Sequence, residues 1–192
     1  MKLLTIFLTF SIMMLSALYA ETSSAQQSFT CKIAGSVTVD SIFRAIPPDK
    51  ISMEPEGQKA KPAVLDRKNG YLSLSYKIQA QTIDYSAALY TSGNKNERIF
   101  LMVTRYVHYV ARFPSTEGFW IFEYTPAKCI EQTDAILPSW HDWSIIKLPQ
   151  KGTDLICCKM EGVKTDKGED ALGEVCATFS WDIRKGIFVK KK

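Results

Sequence analysis

Trp140, His141, Asp142 and Trp143 stand consecutively, an ionisable pair between two indoles, and no other stretch of the chain packs so much potential chemistry into so few residues. Indole faces stack on planar or sugar rings, and a histidine beside a carboxylate can hold or move a proton. The four residues fall where strand alternation is lost, and binding residues gather on such loops. The same tryptophans would also serve to close the end of a core. Tyr106, His108 and Arg112 form a second group, separated by even numbers of positions so that a strand would show them on one face with Thr104 and Val110. That face would either look into solvent or line the mouth of a site where an anionic ligand meets Arg112 and an aromatic edge.

Other chemistries find less support. Two histidines in the whole chain limit both imidazole catalysis and transition-metal binding. No Gly-x-Ser-x-Gly elbow, Walker loop or dinucleotide fingerprint occurs, and Asp166, Gly168 and Asp170 lack the glycine and glutamate that would complete a calcium loop. Basic residues do not cluster with aromatics, and the net charge of +4 is dispersed apart from the last three lysines. These residues predict no catalytic motif, no metal, no cofactor and no nucleic-acid partner. A thiol and imidazole pair of Cys129 with His141 is conceivable, but an exported cysteine is more often oxidised than nucleophilic.

Export is expected from the first twenty residues. Lys2 supplies a positive start, 3–15 form an apolar run, and Ala20 or Ala25 offers a small residue for cleavage. The run is short for a membrane anchor, and no later apolar stretch is long and uncharged enough to span a bilayer. The expected organisation is a signal peptide over 1–20, a disordered segment over 21–28, and one β-rich domain over 29–192, secreted or periplasmic. About 170 residues suffice for one sizeable core.

All five cysteines follow the leader, so disulfides are expected and an odd one is left over. Period-two alternation puts Cys157 on the face of Lys159 and Glu161, and Cys158 on that of Ile156 and Met160. Cys176 shares a polar face with Thr178 and Ser180. Matching polar face to polar face pairs Cys157 with Cys176 and makes Cys158 a buried small hydrophobe. Cys31 with Cys129 follows by elimination.

The elements that must position these groups are mostly strands. Residues 72–79 and 83–89 alternate cleanly, 92–96 is a turn, and 99–113 is a long strand expected to bend near Arg105. Residues 119–124 are apolar on both faces, as a sandwiched strand would be. A short helix and loop are expected over 125–143, then strands at 143–148, 155–160, 174–181 and 187–189. Near the N-terminus, 41–46 reads as a short helix capped by Asp40 and stopped by Pro47, and 50–62 as a polar loop.

The reading is an all-β or mainly β chain of seven or eight strands, a single antiparallel sandwich or partly closed barrel with one or two short helices. The function expected is that of an exported, non-enzymatic protein binding a small ligand or an envelope or extracellular partner. A small secreted hydrolase with a site near His141 and Asp142 is the alternative. An outer-membrane barrel is a third reading, for which seven or eight strands are barely enough.

Overall fold

The computed structural model describes residues 27–93, 97–108, 115–164 and 170–191. The expected leader and Arg112 lie outside the described residues. Within them the chain is mostly β, with eleven strands in two antiparallel sheets. The larger sheet joins seven strands, here β1 (Ser28–Cys31), β2 (Pro62–Asp66), β3 (Tyr71–Ile78), β4 (Gln81–Ser92), β5 (Arg98–His108), β6 (Ser115–Thr125) and β7 (Ala127–Glu131), in the order β1-β7-β6-β5-β4-β3-β2. The smaller joins β8 (Ile145–Lys147), β9 (Asp154–Lys164), β10 (Asp170–Asp182) and β11 (Ile187–Lys190), in the order β11-β10-β9-β8. Three short helices, α1 (Val39–Ala45), α2 (Pro55–Lys59) and α3 (Thr133–Ile136), complete the fold.

Alternation along each strand builds two cores, one on either side of the larger sheet. Leu72, Leu74, Ile83, Tyr85, Leu101, Val103 and Phe122 point one way and pack beneath Val39, Ile42 and Phe43 of α1. Ala88, Tyr90, Phe100, Met102, Phe119 and Ile121 point the other way and meet Leu155, Cys157, Phe179, Trp181 and Phe188 of the smaller sheet. Phe100 to Val103 are therefore buried without a break. This explains why 119–124 in β6 read as apolar on both faces, and each such side chain contributes about 1.5–3 kcal/mol by leaving water.

The expected bend is present: the β5–β6 register slips between Arg105 and Tyr106, with Gly118 opposite the first and Thr116 opposite the second. Glu117 is the extra residue of this bulge, and its carboxylate accepts a hydrogen bond from Arg105 at 3.0 Å. A second bond at 2.8 Å runs from Arg105 to Glu54 at the start of α2. Gly118 is required here because a Cβ would fall 1.9 Å from the Trp120 ring that covers it.

Several sequence expectations are revised. The first helix begins at Val39, capped by Thr38 in a box with Ser41, and not by Asp40. Asp40 sits in the first turn and accepts two hydrogen bonds from Arg67, which hold its carboxyl down at about 2 and tie α1 to the turn after β2. Residues 50–62 include a 3-10 turn and α2, so they are less a loop than a helical cover. Ser28 already pairs with Ile130, so order starts earlier than expected. The stretch 125–143 contains β7, reached through a tight turn in which Ala127 takes a positive φ of 86° after Pro126.

The cysteine pairing also changes. Cys31 joins Cys129 across β1 and β7, while Cys176 joins Cys158, which stands directly opposite it, and Cys157 is free and buried. Lys159 and Glu161 misled the face assignment. They do share a face with Cys157, but that face enters the core at Leu155 and Cys157 and leaves it before Lys159. Burial pushes the Cys157 thiol up to about 12. The native protein at pH 8 should thus resist iodoacetamide, and after unfolding without reductant it should take up one alkyl group, located at Cys157 by peptide mass. Rapid labelling of the native chain would contradict this.

Tyr85 is fully buried and its hydroxyl donates to the carbonyls of Ile51 and Ser52, both at 2.9 Å, pinning the helical cover to the sheet. Tyr85→Phe strands these carbonyls and should lower stability by about 1–2 kcal/mol. Urea unfolding should show an earlier midpoint at unchanged slope; an unaltered midpoint would remove the pin from the account.

Candidate functional site

The two sheets do not cover each other from end to end. Along β9 the inward series runs from buried Leu155 and Cys157 to Lys159 and Glu161, and along β10 from Trp181 and Phe179 to half-buried Ala177 and Val175. The inner face of the smaller sheet therefore continues past the core as an overhang. Ser139, Asp142 and Trp143 lie against it, and together they bound a cleft of about 880 Å³.

Trp143 forms the aromatic part of this cleft. Its ring meets Phe179 edge-on at 5.8 Å, so one side of the indole is fixed by the core. The Lys159 ammonium lies 5.6 Å from the ring centroid and that of Lys190 lies at 6.0 Å, both within cation–π range. Asp142, Glu161 and Lys191 also line the cleft. Glu161 pairs with Lys159 and Asp154 with Lys191. Lys190 is left as the cation beside Trp143 with no ion pair among those of the described residues. The Trp143 indole N–H is buried and has no hydrogen-bond partner among the described residues. The arrangement can hold a ring against the indole and an anionic substituent at Lys190.

The sequence group at 140–143 is thus split. Trp140 donates its indole N–H to Asp134 at 2.9 Å and packs 6.0 Å from Phe119, closing the end of the inter-sheet core. His141 stacks on Trp140 at 3.6 Å and lies 3.8 Å from Asp134, with two thirds of its side chain in solvent. Only Asp142 and Trp143 of the four line the cleft. Core closure describes Trp140, while Trp143 packs on the core and also lines the cleft.

Tyr106 and His108 do share a face, and it is the face of the larger sheet that turns toward the smaller one. Thr104, Tyr106 and His108 on β5 stand opposite Ser86, Asp84 and Thr82 on β4. Here too the inner face runs out from under its cover, and it changes from Phe100 and Met102 to polar residues as it does so. The His108 Nε2 lies 2.7 Å from a carboxylate oxygen of Asp84. Arg112, the third member of the sequence group, lies outside the described residues.

Sequence reasoning missed Asp84, Lys159 and Lys190. Asp84 becomes visible only when β4 and β5 are placed in register. Lys159 carried a signal, being a polar residue on the face of a buried cysteine, but it was read as marking the outside. As for metal ligands, Cys158, Glu174 and Cys176 bring ligand atoms within 4.8 Å of one another, yet both sulfurs are spent in the disulfide. No described helix is long and apolar enough to cross a membrane. Comparison with family models, curated proteins and solved structures finds no match.

Trp143 and His141 should respond differently to truncation. Trp143→Ala removes the ring that seats on Phe179 and should lower stability by about 2–3 kcal/mol. His141→Ala should stay within about 0.5 kcal/mol, as surface changes do. Chemical denaturation of both variants checks this, and equal losses would mean that His141 is structural.

Proposed function

We propose that this chain is an exported, non-enzymatic binding protein of the cell envelope or extracellular space, and that the Trp143 cleft receives a small ring-bearing ligand with an anionic group. One observation carries the reading: the inner face of the smaller sheet, core for half its length, ends in an open cleft of about 880 Å³ that joins an indole to the Lys159 and Lys190 ammonium groups. That volume lies within the range of about 300–1,000 Å³ usual for small-molecule sites. The indole supplies apolar contact, and the ammonium groups orient a carboxylate, sulfate or phosphate.

Export is supported by the leader-like first twenty residues and by two disulfides, which suit an oxidising compartment. His141 is exposed and its contacts are with Asp134 and Trp140, which supports the binding reading over a hydrolase near His141 and Asp142.

Purification from the exported fraction, followed by mass measurement under native and denaturing conditions, tests this. The expected native mass exceeds the denatured one by a small compound, and the excess disappears in Lys190→Ala and in Trp143→Phe. A bare chain in the native spectrum, or a chain that keeps residues 1–20 and stays in the cytoplasm, would overturn the reading.

A further inference from the structure

We propose that the groove between the uncovered end of the larger sheet and strand β8 is a second binding site, separate from the Trp143 cleft, and that it takes a neutral, polyhydroxylated ring such as a pyranose. The groove measures about 410 Å³. Tyr71, Asp84, Ser86, Tyr106 and His108 form its floor. Ile145 and Leu148 form the opposite wall, with Lys147 beside them.

The floor is prearranged. Asp84 holds the His108 imidazole at 2.7 Å through one carboxylate oxygen, which leaves its other oxygen able to accept from a ligand hydroxyl. Tyr71 donates its hydroxyl to Ser86 Oγ at 3.2 Å, so the Ser86 hydrogen is free to be donated onward. The Tyr106 hydroxyl is itself buried, which pushes it up to about 12, so this residue lends its ring to the groove. Ser86 and Asp84, two residues apart on β4, thus offer a donor and an acceptor on one face of the sheet, and a ligand carrying several hydroxyls satisfies both at once. Ile145, Leu148 and the tyrosine rings offer the apolar surface on which the C–H face of a sugar ring packs.

Charge decides against an anion. Among the described residues of the groove, the Asp84 carboxylate is set against the Lys147 ammonium. An acidic ligand would meet Asp84 at close range, where like charges disfavour binding. In the Trp143 cleft, lysines outnumber carboxylates, and the two sites are separated by preference as well as position.

The chain has only two histidines, which makes the test self-controlled. Protein labelled with ¹⁵N-histidine is titrated with the methyl glycosides of glucose, galactose, mannose and N-acetylglucosamine, and with glucuronate as the charged comparison. At least one neutral glycoside should move the His108 signals saturably and leave those of His141 in place. Ser86→Ala should weaken that binding about fivefold, the loss of one hydrogen bond. Asp84→Asn should weaken it further, and Ser86→Ala carries the test if that variant does not fold. Lys190→Ala should leave it unchanged, so failure here and failure of the Trp143 cleft are told apart. Absence of any His108 response across the panel, equal movement of both histidines, or preference for glucuronate would overturn the proposal.

Discussion

Burial of the larger sheet on both faces is the constraint from which the rest follows. An antiparallel sheet commonly leaves one face to water, and its strands then alternate cleanly. Here β3 and the ends of β4 and β5 alternate, while Phe100 to Val103 do not, because the helical layer takes Leu101 and Val103 and the smaller sheet takes Phe100 and Met102. Two covering layers of different extent must each stop somewhere. Where they stop, residues that would otherwise be core have to be polar, and that is where the chemistry of this chain collects.

Both clefts are consequences of that mismatch. The smaller sheet runs past its core and exposes Lys159 and Glu161 beside Trp143, and the larger sheet runs past its own and exposes Asp84, Tyr106 and His108. On the helical side, Arg105 marks the equivalent limit, but there Glu54 and Glu117 close around it and the bulge absorbs the extra residue. The contrast explains why Arg105 anchors the cover while His108 stays accessible. The disulfides fit the same scheme: Cys158–Cys176 staples the hairpin that forms the overhang, and Cys31–Cys129 fastens the edge strand β1.

Much of the fold was legible because alternation reports which side of a strand meets apolar neighbours. The strands at 72–79, 83–89, 119–124 and 187–189, and the irregularity at Arg105, are all recovered. What escaped did so for local reasons. β1, β2 and β7 are short strands, the first two at the edges of the sheet, too brief for periodicity to register, and Pro126 looked like a loop although it opens a tight turn into β7. Thr38 displaced Asp40 as the cap because Asp40 was claimed by Arg67, a partner 27 positions away. Cys157 was misplaced because a face was assumed to keep one character along its whole length. In the candidate sites, Trp143 and His108 could be picked by type, but Asp84 and Lys190 belong to them only through cross-strand register, which no linear spacing carries.

The most direct measurement is a crystal structure of the chain taken from its exported fraction, read for what lies against the inner face of β9 and β10 beyond Cys157. Lys159, Glu161 and Trp143 should border an open cleft, with a small molecule resting on the indole and its anionic group at Lys190. A cleft filled by another segment of the same chain, burying Lys159 and Glu161, would contradict it.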